Sequence, residues 1–186
     1  MIKLSILVLT VPGRLNTFYP KLMNELIRQT KNREDVEILA LFDNKGRTIG
    51  QARNDLLYLA QGQYLTYIDD DDTISETYII DVIEAIDKNH EADQLLFNIS
   101  FDQNGRKWKQ FMPCIKQIWR TSLARLVKFP EANYAEDTDW AKIANTIVRN
   151  RVKINKTIYY YIYRTETSES KWVEIWDREH NNQGEK

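Results

Sequence analysis

The chain has 186 residues, of which 42% are hydrophobic, and its 26 basic side chains are balanced by 27 acidic ones. This composition favours one globular domain and excludes a disordered chain. The near-neutral charge argues against stable nucleic-acid binding, which needs a basic surface. The single cysteine, Cys114, excludes an internal disulfide, and no apolar run approaches the roughly 20 residues that span a bilayer. We therefore expect a cytoplasmic protein without a transmembrane segment.

The first 92 residues alternate three times between a short apolar run and a stretch of helical periodicity. The apolar runs predict strands at Leu4–Leu9, Val36–Phe42 and Tyr64–Ile68. The periodic stretches predict helices from Leu15 to Gln29, from Gly50 to Gln61 and after a capping box at Thr73–Glu76. Gly62 is expected to end the second helix in the left-handed conformation. This order predicts right-handed crossovers and a mostly parallel α/β sheet flanked by helices.

The pattern changes after residue 92 and predicts a small antiparallel part. Asn104-Gly105 between two β-prone runs is a strong hairpin signal. The predicted elements are strands at Gln94–Phe101, Lys107–Met112, Cys114–Trp119 and Thr157–Tyr163, and a helix from Asp137 or Thr138 to Arg149. From Ser168 onward the tail has apolar residues at helical spacing, namely Trp172, Ile175 and Trp176. This tail is interpreted as a helix packed on the core, or as a contact with a second copy or a membrane surface.

Four consecutive aspartates, Asp69 to Asp72, directly follow the predicted strand Tyr64–Ile68. In open α/β sheets, ligands bind just beyond the carboxyl ends of the strands. Carboxylates this close repel one another, and some would keep their protons unless a cation compensated them. A hard divalent cation with oxygen ligands is the natural compensator. The sequence therefore predicts a cation-assisted ligand site after the third strand.

Two further polar residues lie where neighbouring strands meet their helices. Arg53 falls in the first turn of the second predicted helix, where the helix N-terminus attracts anions and the guanidinium can contact phosphate oxygens. The alternative is a surface arginine. Asp43 ends the second strand and could accept hydrogen bonds from a base or a ribose, or serve its turn.

These pieces, in this order, resemble the nucleotide-sugar half of a family 2 glycosyltransferase with the GT-A fold. Three segments match the family pattern: Ala52-Arg53-Asn54, Ala60-x-Gly62-x-Tyr64 and Asp69-x-Asp71-Asp72. Glu136-Asp137 stands where the family has a Glu-Asp pair opening a later helix. The resemblance covers residues 3 to 164. It implies a single domain over residues 1–167, with a nucleotide-sugar half (1–92), an acceptor and catalytic-base half (93–167) and a helical tail (168–186).

The resemblance also implies a site for inverting transfer of a sugar from a nucleotide-sugar, with a UDP-sugar as the expected donor. Asp137, preceded by Glu136, would be the general base. Asp71 and Asp72 would lie at a Mn²⁺ or Mg²⁺ ion, and Asp69 could share the contact with the metal or the ribose. The residues implied to contact the nucleotide-sugar are Thr10, Pro12, Arg14, Asp43, Arg53, Asn54, Asp69, Asp70 and Arg164.

One departure from the family pattern concerns the metal. Many relatives carry a late His as a further ligand, and the matching stretch Tyr161–Ser168 has none. Either Glu166 or a hydroxyl substitutes, or Asp71 and the diphosphate hold the metal while Arg164 supplies charge to the leaving phosphates. Asp137 has an alternative interpretation as a helix N-cap.

The acceptor is expected to be a hydroxyl-bearing molecule, first of all a glycan, with a protein or a modified nucleobase as alternatives. Two other functions remain open at this point. Asp69-x-Asp71-x-Thr73 fits the nucleophile motif of haloacid-dehalogenase-like phosphatases, although that motif belongs on the first strand of their fold. The aspartates could instead form a noncatalytic sugar- or metal-binding module.

Overall fold

One mixed sheet organises the part of the chain that the computed structural model describes, residues 1–103 and 105–163. Its eight strands are β1 (Leu4–Thr10), β2 (Val36–Phe42), β3 (Tyr64–Asp69), β4 (Thr73–Ile74), β5 (Gln94–Gln103), β6 (Arg106–Phe111), β7 (Ile118–Arg120) and β8 (Arg151–Tyr163). The helices are α1 (Tyr19–Thr30), α2 (Ile49–Leu59), α3 (Tyr78–Lys88), α4 (Thr121–Ala124) and α5 (Glu136–Ile147), with a 3₁₀ turn at Pro12–Arg14. The described residues include no helix long and apolar enough to cross a bilayer.

The strand order is β2-β1-β3-β7-β5-β8-β4, and β6 pairs with β5 beyond the short β7. β1 runs parallel to both β2 and β3. β7 is antiparallel to β3 and to β5, so β3 and β5 point the same way, and β8 is parallel to β5. The carboxyl ends of β1, β2, β3, β5 and β8 therefore share one edge of the sheet, which is where α/β sheets bind ligands.

Alternation along β1 builds a hydrophobic core on each face of the sheet. Leu4, Ile6 and Val8 are buried in one core with α1 and α3. Leu7 is buried in the other core with α2, α4 and α5, where Trp119 and Trp140 pack edge to face at 4.9 Å. Because both faces are covered, the central strands read as continuous apolar runs, as expected of buried parallel strands.

Most predicted elements are confirmed. The strand at Val36–Phe42 has the predicted bounds. The hairpin predicted around residues 104–105 is confirmed by the pairing of Gln103 with Arg106. The first helix begins only at Tyr19, with Pro20 in its first turn, where the missing N–H of proline is tolerated; a start at Leu15 would place Pro20 in the helix interior. The predicted tail helix lies outside the described residues.

Two local predictions are wrong. Gly62 does not adopt a positive φ; it is required because a Cβ there would lie 2.6 Å from the backbone nitrogen of Ser5. The capping box at Thr73–Glu76 does not form, because Thr73–Ile74 pairs with β8 and α3 begins only at Tyr78. Strand pairing of Thr73–Ile74 with β8 therefore prevails over the local capping signal.

Candidate active site

A cleft of about 700 Å³ opens at the carboxyl edge of the sheet. Asp69, Asp70 and Asp71 line it from the end of β3, and Glu136 and Asp137 line it from the start of α5. The structure therefore brings the predicted acidic cluster and the predicted Glu-Asp pair into one cleft. A transfer reaction that uses both groups requires them to lie in one cleft, and this condition is met.

One side of the cleft, here called the acidic wall, consists of Thr10, Arg14, Asp43 and Asp69–Asp71. Asp70 is buried and accepts hydrogen bonds from the Thr10 hydroxyl at 2.6 Å and from Arg14 at 2.7 Å. Arg14 also lies 3.1 Å from Asp71. The 3₁₀ turn that begins at Pro12 places Arg14 over these carboxylates, while Pro12 itself does not line the cleft.

Arg53 connects the two acidic groups. Its buried guanidinium lies 3.1 Å from Glu136 through Nε and 3.4 Å from Asp69 through Nη2. Burial alone would lower the pKa of Arg53, but the charges of Asp69 and Glu136 raise it instead. Arg53 therefore remains charged and ties the end of β3 to the start of α5.

Gly50 and Asn54 position the segment that leads to α5. A Cβ on Gly50 would lie 1.8 Å from the carbonyl oxygen of Pro130, so only glycine admits this close approach. The Asn54 amide donates to the Phe129 carbonyl and accepts from the Phe129 N–H, both at 2.9 Å. Asn54 does not line the cleft, so the structure gives it a scaffold contact where the sequence predicted a nucleotide contact.

Lys116 was missed by sequence reasoning. Its ammonium group, on a side chain that is only 10% exposed, contacts Asp69 directly and lies 4.0 Å from Asp72. Burial alone would raise the pKa of Asp69, but the charges of Lys116 and Arg53 lower it well below its ordinary value. The signal in the sequence is the need for positive charge near four aspartates, for which a metal ion was the expected source.

Asp72, predicted as a second metal ligand, lies away from the cleft. It is buried and accepts hydrogen bonds from the Tyr159 hydroxyl at 2.5 Å and from the backbone N–H of Ile162 at 3.3 Å. Burial and the neighbouring Asp69 raise its pKa, although Lys116 opposes them. The structure thus directs Asp72 toward β8 and Asp71 toward the cleft.

Asp137 lies in the first turn of α5 and partly exposed in the cleft. The helix begins at Glu136, and the capping position is occupied by Ala135, which has a φ of 59°. The interpretation of Asp137 as an N-cap is therefore wrong. One carboxylate oxygen of Asp137 accepts a hydrogen bond from the N–H of Thr138 at 2.7 Å. Arg164, also predicted at the site, lies outside the described residues.

The described residues suit a cation that is shared with a substrate. Among the described residues, no three acidic, histidine or cysteine side chains converge as a metal cage. Asp71 lines the cleft together with Asp69 and Asp70, and burial and the charge of Asp69 raise its pKa. Mg²⁺ is commonly bound by one or two carboxylates together with substrate phosphates, so Asp71 fits such a cation in the presence of a diphosphate.

A second part of the cleft lining, here called the aromatic wall, consists of Trp108, Phe101 and Tyr161, with Arg106 and Gln110 beside Trp108. Phe101 pairs with Trp108 on β6 and with Tyr161 on β8. The Phe101 and Trp108 rings stack at 5.1 Å, and the Phe101 and Tyr161 rings lie 5.6 Å apart. Residues paired across strands share one face of the sheet, which is why three distant aromatics form one row.

The sequence matches glycosyl transferase family 2 over residues 20–167, and the chain belongs to this family. Its fold is the GT-A fold, shared with solved structures of S. aureus TarS. The structure of TarS 1–349 in complex with UDP-GlcNAc has a TM-score of 0.71 at 20% identity, over 95% of this chain and 64% of that one. The complex with UDP has a TM-score of 0.69 at 22% identity, over 89% and 62%.

A longer TarS structure aligns at 21% identity and a TM-score of 0.69, over 87% of this chain and 37% of that one. The chain thus spans less than two thirds of the length of these TarS structures. A search of curated proteins finds no significant match. The predicted family, the GT-A fold and the glycosyltransferase class are confirmed. The phosphatase and the noncatalytic module lose their support, and Asp69, paired with Arg53 and Lys116, is not placed as a free nucleophile.

Proposed function

We propose that the chain transfers a sugar from a UDP-sugar to a hydroxyl group of an acceptor, with inversion at the anomeric carbon. The observation that carries this proposal is the single cleft lined by Asp69–Asp71 and by Asp137. The similar TarS structures with UDP-GlcNAc and UDP support a uridine nucleotide as the donor's leaving part. The carboxyl edge of the sheet is also the side on which nucleotides bind to α/β folds.

The acidic wall is assigned to the nucleotide. Asp43 is buried at the end of β2, and its N–H donates to the Thr10 carbonyl at 2.9 Å, which fixes it beside β1. Its carboxylate can accept hydrogen bonds from the base or the ribose. Arg14 supplies positive charge next to Asp71, where the diphosphate would lie. Arg53 acts through Asp69 and Glu136 as a positioning residue, because both carboxylates already engage its guanidinium.

Asp71 is the residue that would hold Mn²⁺ or Mg²⁺ against the diphosphate. A divalent cation there would supply electrostatic stabilisation of the leaving phosphates as the bond to the sugar breaks. Asp72 is not part of this assignment, because its two oxygens engage Tyr159 and Ile162.

Asp137 is assigned as the general base. Its carboxylate accepts the proton of the acceptor hydroxyl while the new bond to the anomeric carbon forms and the bond to the diphosphate breaks. A positioned base contributes about 10²–10⁴-fold to such a step. One base facing the leaving group across the sugar implies a single displacement and hence inversion.

The donor is tested by thermal unfolding in the presence of UDP-, GDP- and TDP-sugars, with and without Mn²⁺. A ligand that binds only the folded state stabilises it by about 2.7 kcal/mol at a hundred times its Kd, so the correct donor should give the largest rise in Tm. The Asp137→Asn variant should bind the donor like the wild type and lose about 10²–10⁴-fold in transfer rate. Full activity in this variant, or no response to any UDP-sugar, would contradict the proposal.

Three further expectations remain proposals. They are the division into residues 1–92 and 93–167, the cytoplasmic location suggested by the single cysteine, and a homodimer contact through the tail. A glycan remains the proposed acceptor class, with protein and modified nucleobase as the alternatives.

A further inference from the structure

The aromatic wall belongs to an ordered patch of three rows that the nucleotide does not account for. Strand register aligns Arg106, Gln103 and Tyr163 in an outer row and Trp108, Phe101 and Tyr161 in a middle row. The inner row is formed by Gln110, Ile99 and Tyr159. Members of the outer and middle rows all line the cleft. The patch therefore presents a row of aromatic rings, bordered by hydrogen-bonding side chains, in the same cleft as Asp137.

We propose that this patch is the acceptor subsite and that it binds a glycan carrying a negatively charged group, stacked on Trp108 with its anionic group near Arg106. This inference rests on the proposed sugar transfer. A pyranose ring presents a face of C–H groups that packs on an aromatic face, and Trp108 retains 36% exposure although Phe101 supports its ring at 5.1 Å. Because the Trp108 ring is rigid, it provides a large contact area at a low cost in side-chain conformational entropy.

The charge of β6 selects the kind of glycan. The strand carries three cations and no acid in the run Arg106-Lys107-Trp108-Lys109. Alternation along the strand turns Arg106 and Trp108 toward the cleft and Lys107 and Lys109 away from it. Asp102 also lines the cleft, but Lys107 lies 3.3 Å from it, which limits the negative charge near the outer row. Arg106 is therefore the cation of β6 that faces the cleft, and its charge complements an anionic ligand and guides its approach.

The anionic group could be a carboxylate or a phosphate, and titration calorimetry of the full chain with UDP and Mn²⁺ present separates them. The probes are a hyaluronan tetrasaccharide with its carboxyl-reduced counterpart, and glucose 6-phosphate, which carries a pyranose ring as well as a phosphate, with glucose as its uncharged counterpart. We expect the wild type to bind at least one anionic probe about tenfold more tightly than the uncharged counterpart of that probe. Trp108→Ala should weaken the tetrasaccharide about tenfold, and Trp108→Phe should retain most of its binding.

Matched charge changes on the two faces of β6 isolate the role of Arg106. Arg106→Gln should remove the preference for the anionic probe, whereas Lys109→Gln, which changes the same charge on the other face, should leave it within about twofold. Equal binding by Trp108→Ala and the wild type, equal affinity of both anionic probes and their uncharged counterparts, or no binding of any probe would overturn the proposal. Binding of glucose 6-phosphate that is unchanged in Trp108→Ala would reduce the patch to a phosphate contact and also overturn it. Failure of the wild type to bind UDP would instead contradict the proposed function.

Discussion

The two walls of the cleft are held in place by different physical means. On the acidic wall, Asp70 is only 2% exposed and is fixed by Arg14 and Thr10. On the aromatic wall, strand register alone aligns Trp108 with Phe101, and β6 is exposed along most of its length. A substitution on the acidic wall leaves a buried charge without its partner, whereas a substitution on the aromatic wall exchanges one exposed side chain for another. The fold therefore fixes one half of the site and leaves the other free to vary.

The largest expected effect separates two neighbours within the acidic cluster. Asp71→Asn should lower transfer by about 10³-fold or more, since metal-assisted charge stabilisation is worth several kcal/mol and each 1.36 kcal/mol is tenfold in rate. Asp72→Asn should retain most activity, because an amide can still bond to Tyr159 and Ile162. Initial rates over a Mn²⁺ titration measure both variants. A loss in Asp72→Asn that matches the loss in Asp71→Asn would return Asp72 to the metal site.

The next effect breaks the link between β3 and α5. Arg53→Met leaves Asp69 and Glu136 without their shared cation, and removal of one partner of a buried ion pair costs about 3–5 kcal/mol in stability. Arg47→Met is the control, because Arg47 is exposed and its pairs with Asp55 and Asp43 are of the kind worth about 0–1 kcal/mol. Urea unfolding gives both values. Equal losses would show that Arg53 is not a buried bridge.

A smaller effect tests how the loop before α5 approaches α2. Gly50→Ala places a Cβ against the carbonyl of Pro130, and overpacking of this kind costs about 1–3 kcal/mol. Gly13→Ala meets nothing within 4 Å and lacks a positive φ, so it should be neutral or stabilise by about 0.4–1 kcal/mol. The free energy of unfolding should therefore fall in Gly50→Ala and stay equal or rise in Gly13→Ala. A neutral Gly50→Ala would mean that the loop yields without cost.

The acidic wall could be predicted from sequence because each of its parts lies at or just after the end of a predicted strand. Asp69–Asp72 follow an apolar run, and strand order alone brings Asp43 to the same edge. The partners of these residues could not be predicted. Arg53 meets Glu136 only because Gly50 admits the loop at Pro130, and Lys116 reaches Asp69 from a segment without a motif. The opposite directions of Asp71 and Asp72 follow from turn geometry, where the alternation of a strand no longer applies.

Only part of the aromatic wall could be predicted from sequence. The hairpin signal at residues 104–105 fixes the register and so places Phe101 opposite Trp108. The third ring could not be assigned from sequence, because β8 pairs with β5 in parallel across register shifts around Asn98. A short turn specifies local register, whereas a distant parallel strand takes its register from the packing of the whole sheet.

The smallest expected effect concerns the backbone that presents Asp137 between the two walls. Ala135 has a φ of 59°, a left-handed conformation that costs a residue with a Cβ about 1–2 kcal/mol. Ala135→Gly removes this strain but adds freedom to the unfolded chain, which costs about 0.4–1 kcal/mol. The net result should be a stabilisation of about 0–1.6 kcal/mol.

The same substitution should lower kcat, because a glycine holds the start of α5 less firmly and a small misplacement of a base is costly to catalysis. Asn32→Gly is the control, since Asn32 also has a positive φ of 66° but lies after α1 and away from the cleft. It should leave kcat unchanged. If Ala135→Gly gains stability with no loss in kcat, the left-handed residue serves only to start the helix; if kcat falls, the strain is part of how Asp137 is positioned.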